Sequence, residues 1–144
     1  MSDVYALDLA FDLSGSTPAA LIDDLCWHLG ISSGRSRDET EDEWPLLAAR
    51  GTGLYIGGTL VNELTHADDS WHLTVRQEVH EESLPEVISL LRRLVAFAGS
   101  EGIVGQIRFY EDEAPELLLN EAGILTKGIS QHNITAQTLN VRNR

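Results

Sequence analysis

The spacing of apolar residues constrains the fold most, because it has a period of two in four segments and a helical period in two others. In residues 4–13, Tyr, Leu and Phe at the odd positions alternate with Val, Ala and Asp at the even positions. Such alternation predicts a strand with one buried face and one polar face. Apolar residues three or four positions apart instead predict a helix with one buried stripe. These criteria predict strands at 4–13, 54–65, 71–80 and 103–110, and helices at 18–29 and 84–98.

The order of these elements predicts the fold class. Strand, helix, strand, strand, helix, strand is the order of an α+β, ferredoxin-like βαββαβ fold, an antiparallel sheet with two helices on one face. In that topology the long strands lie in the spatial order fourth, first, third, second. We also expect a short hairpin strand at 46–50, before the glycines at 51 and 53, and a short C-terminal helix at 117–122 that Gly123 ends.

The length of the chain fits one domain. With 144 residues and 15.9 kDa, it can bury a sizeable core but is too short for two independent domains. We assign residues 1–125 to a single α+β domain and 126–144 to a polar tail, in which 134–141 can pair as an edge strand.

Over residues 4–110 the element order resembles, at the level of fold alone, the dimeric α/β-barrel proteins. In that class two ferredoxin-like sheets pack open face to open face, and its members include small oxygenases, isomerases and ligand-binding regulators. The resemblance implies a homodimer. An open sheet face that carries Tyr55, Val61 and Tyr110 among charged residues supports the same expectation.

Composition excludes several classes of partner. Twenty-three acidic residues against ten basic ones give a formal net charge of -13, which repels nucleic acid and anionic membrane surfaces. The chain has no apolar stretch long enough to span a bilayer and no basic segment typical of a signal peptide, so we expect a cytoplasmic protein.

No motif predicts a catalytic residue, a metal site or a cofactor, and whether the protein is an enzyme stays open. Cys26 and His28 are two residues apart on a predicted helix, where their side chains point in different directions. His72 and His80 are separated by about 26 Å along an extended strand, too far to share one ion. The glycines near residue 51 run into a predicted strand and lack a phosphate-binding lysine.

Charged side chains on the polar face of the predicted sheet form a candidate ligand site. Asp8 and Asp12 lie on the first strand, between Arg76 on one neighbouring strand and Arg108 and Tyr110 on the other. Arginine can hold an anionic group with two parallel hydrogen bonds. The structural alternative is that these residues form cross-strand ion pairs that stabilise a half-exposed sheet.

An acidic segment next to a tryptophan forms a candidate partner-binding site. Clustered negative charge speeds the encounter with a basic surface, and tryptophan is enriched among interface anchors. The residues of this site are Asp38, Glu39, Glu41, Asp42, Glu43 and Trp44.

Two function hypotheses follow. The first is a non-catalytic acidic interaction protein, similar to immunity and inhibitor proteins, that binds a basic protein partner. The alternative is a small-ligand-binding protein or modest enzyme of the dimeric α/β-barrel type that uses the polar sheet face. The sequence names neither the partner nor the ligand.

Overall fold

The computed structural model describes residues 3–31 and 44–129. The protein has an α+β fold with a six-stranded antiparallel sheet and two α-helices. The elements are β1 (Val4–Ser14), α1 (Ala19–His28), β2 (Val61–Ala67), β3 (Ser70–His80), α2 (Leu84–Val95), β4 (Gly102–Phe109), β5 (Glu116–Glu121) and β6 (Ile124–Ile129).

The strands lie in the order β2-β3-β1-β4-β5-β6, and every neighbouring pair is antiparallel. β1 is central and pairs with β3 along its whole length. Because β5 and β6 extend the sheet beyond β4, the complete strand order differs from that of the predicted four-stranded sheet.

One face of the sheet and both helices form a single hydrophobic core. On β1, Leu7 and Leu13 are fully buried, and on α2 Leu91 and Leu94 are each 1% exposed. The helix predicted at 84–98 therefore does bury one side against the sheet, as the positions of Leu91 and Leu94 show. Apolar burial of this extent is the main source of stability in a domain of this size.

The predicted short helix at 117–122 is wrong, because this segment forms β5. A run of three leucines has no periodicity that separates helix from strand, so pairing with β4 and β6 decides the conformation. Gly123 does not end a helix. Together with Ala122 it forms the two-residue turn of the β5–β6 hairpin, in which both residues have positive φ.

The predicted hairpin strand at 46–50 is also wrong, and the strand predicted at 54–65 begins only at Val61. The backbone of segment 46–50 forms hydrogen bonds with side chains and with the last residue of α1, His28, instead of with a strand. The backbone N–H of Ala49 donates to Gln77 Oε1 at 3.1 Å, and Gln77 Nε2 donates back to the Ala49 carbonyl at 2.9 Å. A buried glutamine amide thus takes the place of a neighbouring strand.

β6 includes the first four residues of the segment predicted to be a polar tail, so these belong to the sheet. The edge strand predicted at 134–141 lies outside the described residues.

Candidate functional site

The face of the sheet opposite the core carries the charged residues predicted on β1 and β3. The strand register places Asp8 opposite Arg76 and Asp12 opposite His72. Asp8 Oδ1 lies 4.0 Å from Arg76 Nε, which is too long for a hydrogen bond. Asp12 Oδ1 and His72 Nδ1 are 2.6 Å apart. The site residues predicted on β1 therefore have different partners, and no arginine of the described residues holds Asp12.

Residues 51–60, which we call the Leu54 loop, lie across one end of this face. The Glu78 carboxylate on β3 accepts hydrogen bonds from the backbone N–H groups of Leu54, Tyr55 and Ile56, at 3.2, 2.5 and 2.9 Å. Neighbouring parts of the face are covered, since Val4 is 0% exposed although its side chain does not face the core. One end of the predicted open face is therefore closed by the chain itself.

Arg76 holds the second half of the same loop. Its Nη1 donates to the carbonyl oxygens of Gly57 and Thr59 at 2.8 and 3.3 Å, and its Nη2 donates to that of Ile56 at 3.5 Å. Two adjacent outward side chains of β3, one acidic and one basic, thus bind the N–H groups and the carbonyl groups of one loop. Hydrogen bonds to charged groups are stronger than those between neutral groups.

Glycines allow the loop to close at this position. Gly57 and Gly58 have φ values of 68° and 64°, a conformation that other residues rarely adopt. The N–H of Gly53 donates to the Gly58 carbonyl at 2.9 Å, and that of Leu60 donates to the Gly51 carbonyl at 2.8 Å. Because these bonds join the two arms of the loop, its tip lies at residues 54–57.

The hydrogen bonds from the loop change the pKa of Glu78. Partial burial raises the pKa of its carboxyl group, but the three backbone N–H groups and the charge of Arg76 lower it more, so the pKa lies below its ordinary value. The ionised carboxylate is therefore the form that the loop stabilises.

The tip of the loop presents apolar surface to solvent. Leu54 is 89% exposed and Tyr55 is 48% exposed. The Tyr55 ring packs edge-to-face against Tyr110, with 5.3 Å between the ring centroids. An isolated exposed leucine is ordinary. This one is unusual because the backbone around it is fixed by charged hydrogen bonds.

Arg108, the second arginine of the predicted ligand site, does not lie opposite Asp8 or Asp12. The register places it opposite Ala6, and its Nη1 donates to the carbonyl oxygens of Tyr110 and Asp112 at 2.9 and 2.7 Å. The guanidinium groups of Arg76 and Arg108 thus both donate hydrogen bonds to backbone carbonyl groups. The structure brings Asp8 and Arg76 together, and it places Arg108 and Tyr110 beside the turn after β4.

Carboxylates surround Tyr5 at the same end of the sheet. Burial raises the pKa of the Tyr5 hydroxyl, and the negative charges of Glu81, Asp3, Asp112 and Glu116 raise it further. The potential around this end of the molecule is therefore negative.

Of the residues predicted to bind a partner, Asp38, Glu39, Glu41, Asp42 and Glu43 lie outside the described residues. Trp44 is described and is 64% exposed.

Within residues 3–31 and 44–129, no three histidine, cysteine or carboxylate side chains are close enough to hold a metal ion. The pKa of the Cys26 thiol is raised by burial and by the charge of Asp23, which disfavours the nucleophilic thiolate. No helix in the described part of the chain is long and apolar enough to cross a membrane.

Sequence reasoning missed Leu54 and Glu78. The signal that could have found the loop is the set of four glycines at positions 51, 53, 57 and 58, because paired glycines favour turns over a continuous strand. Glu78 gave no such signal, since its partners are backbone groups more than 20 residues away.

Comparisons of this chain with protein-family models, with curated proteins and with solved structures found no match.

Proposed function

We propose that this protein is a non-catalytic interaction module that binds a basic protein partner, with Leu54 and Tyr55 as its apolar contacts. The observation that carries the proposal is an 89% exposed leucine on a loop whose backbone is tied to two charged side chains. Because the loop is ordered before binding, its use as a contact costs little further conformational entropy. Tyrosine, at the neighbouring position, is among the residue types enriched in binding hot spots.

Charge supports the basic character of the partner. The formal net charge is -13, and the exposed residues Glu111, Asp112 and Glu113 directly follow Tyr110, which contacts Tyr55. Negative charge beside an apolar contact attracts a surface with the complementary pattern, an apolar pocket with a basic rim, and raises the rate of encounter.

The test uses binding kinetics to separate the contribution of the apolar contacts from that of the negative charge. A partner is isolated from the source cells on the immobilised protein, identified, and measured for association and dissociation rates. We expect Leu54→Asp to speed dissociation at least about tenfold, because it removes an apolar contact. Ile124→Asp is the matched control, since Ile124 is 65% exposed on the β5–β6 hairpin and should leave both rates unchanged.

The acidic segment is tested in the same assay. Replacing Asp38, Glu39, Glu41, Asp42 and Glu43 with Ser or Gln should slow association and weaken its salt dependence, with little effect on dissociation. A partner that is itself acidic, or one that binds the Leu54→Asp variant as tightly as the original protein, contradicts the proposal.

Two finer structural proposals accompany this function. We propose that β1–β4 with α1 and α2 form a ferredoxin-like unit to which the β5–β6 hairpin is added. The mutual order of these four strands, β2-β3-β1-β4, supports this assignment. We also propose that the protein forms a homodimer, an expectation taken from the resemblance to dimeric α/β-barrel proteins.

A further inference from the structure

Beyond the Leu54 loop, the polar face of the sheet contains a shallow depression of about 400 Å³, which we call the trough. Ala10 and Gly105, on neighbouring strands, have minimal side chains, while Val61 on β2 and Ile103 on β4 are larger. The trough crosses four strands, or about 14 Å at the usual spacing. Its volume is at the lower end of the range for small-molecule sites.

The strands β1 and β4 approach each other closely at the trough. A Cβ atom at position 105 would overlap the carbonyl oxygen of Asp8, so only glycine fits where β1 and β4 approach this closely. The β4–β5 register shifts between Ile103 and Gly105. Val104 is 2% exposed and belongs to the core, whereas Ile103 is 60% exposed. Bulges of this kind often re-aim side chains beside functional sites.

The polar side chains of the trough have unused hydrogen-bonding capacity. The hydroxyl of Thr74, the amide of Gln106 and the carboxylate of Asp8 make no hydrogen bond with the described residues. Arg76, the cation nearest Asp8, directs its Nη donors to the carbonyl groups of the Leu54 loop. Among the described residues, the trough therefore offers a carboxylate that accepts no hydrogen bond and lies 4.0 Å from Arg76 Nε, whereas the Nη donors of its arginine are engaged.

These groups favour a cation over an anion. An anionic ligand would be repelled by Asp8 and by the net charge of -13, and it would find the Nη donors of Arg76 bonded to the Leu54 loop. An ammonium group can donate to Asp8 Oδ atoms, to Thr74 and to the side-chain oxygen of Gln106. Its hydrocarbon part can cover Ala10 and Ile103, which removes apolar surface from water.

We infer that the trough binds a small organic amine, with its ammonium group on Asp8 and its hydrocarbon part across β1 and β4. The site is separate from the Leu54 and Tyr55 contacts of the proposed function. It also differs from the arginine-bound ligand expected from the sequence, because the Nη donors of Arg76 bind the Leu54 loop and Asp8 accepts no hydrogen bond from the described residues.

The test is a titration of the isotope-labelled protein, followed by NMR, with hexylamine, hexanol and hexanoate as probes of matched length. We expect saturable shifts of the backbone amides of Ala10, Thr74 and Gln106 with hexylamine only. Asp8→Asn should weaken hexylamine binding at least about tenfold, because it removes the charge and keeps the shape. Ala10→Leu should abolish binding by filling the trough.

Asp12→Asn is the matched control, because Asp12 lies on the same strand and face but outside the trough and is paired with His72. It should bind hexylamine as the original protein does. The inference is overturned if no amide shifts up to about 10 mM amine, if hexanol or hexanoate binds equally well, or if both asparagine variants weaken binding alike. Leu54→Asp should leave amine binding unchanged, so the trough and the proposed function can fail independently.

Discussion

At the scale of single residues, Glu78 makes the order of the Leu54 loop depend on pH. Its pKa is lower in the folded protein than its ordinary value, so the ionised carboxylate stabilises the folded loop. That contribution is fully present above the ordinary pKa of glutamate and is lost as pH falls through the lowered value. We expect the hydrogen-exchange protection of the N–H groups of residues 54–56 to fall in this acidic range.

Glu78→Gln provides the control for this prediction. The amide oxygen can still accept a hydrogen bond but does not titrate, so protection should be weaker at neutral pH and independent of pH. If the original protein and the variant lose protection along the same pH curve, another group controls the loop.

A pair of leucines tests the core. Leu91 is 1% exposed and Leu54 is 89% exposed, so the same truncation should have very different costs. We expect Leu91→Ala to lower the free energy of unfolding by about 2–5 kcal/mol, and Leu54→Ala to change it by less than about 0.5 kcal/mol. Urea denaturation of both variants measures the difference, and similar costs would mean that α2 is not packed as described.

At the scale of elements, the close approach of β1 and β4 depends on Gly105. We expect Gly105→Ala to lower the free energy of unfolding by about 3 kcal/mol, because its Cβ would overlap a backbone atom that cannot rotate away. Gly57→Ala is the control, since its φ of 68° is unfavourable for alanine but a Cβ atom there would have no described atom within 4 Å. It should cost about 1–2 kcal/mol.

Denaturation measures both glycine variants, and hydrogen exchange along β1 and β4 shows where the damage lies. Equal costs, with no loss of protection on β1, would contradict the close approach of the two strands.

The elements differ in how well the sequence predicts them, and the reason is periodicity. β1, β3 and α2 each bury one face along their length, so apolar residues recur at the period of the element. The segment 117–119 has three consecutive leucines, and only pairing with two other strands makes it β5. The Leu54 loop depends on contacts with Arg76 and Glu78, which are distant in sequence and leave no local pattern.

The placement of Asp8 beside Arg76 was predictable from the sequence, but the hydrogen-bonding partners of Arg76 were not. Alternation places Asp8 and Arg76 on one sheet face, and the strand register places them opposite each other. Alternation does not reveal which arginine donors are occupied by carbonyl groups of a loop. For that reason the sequence suggested a ligand held by arginine, whereas the Asp8 carboxylate, which accepts no hydrogen bond from the described residues, favours an amine.

At the scale of the whole molecule, we predict a homodimer, with a mass in sedimentation experiments of twice 15.9 kDa. Each copy carries a formal net charge of -13, so repulsion should weaken the dimer at low ionic strength and added salt should strengthen it. A mass of 15.9 kDa at micromolar concentration in both low and high salt would rule out the dimer.

The site of dimerisation can be tested with Ile103→Asp on the open sheet face. If two copies pack open face to open face, this variant should be monomeric, because the interface would bury its carboxylate without a partner. If the variant remains a dimer, the copies associate through another surface, and the trough stays open to solvent.

The hydrogen bonds that hold the Leu54 loop determine how its binding specificity can change. Glu78 and Arg76 bind only backbone N–H and carbonyl groups of the loop, and these groups are the same whatever side chain a position carries. The side chain of Leu54 can therefore mutate without altering the shape of the loop. Such a fold is suited to divergence toward new partners, and to the grafting of randomised tip sequences for selection by display.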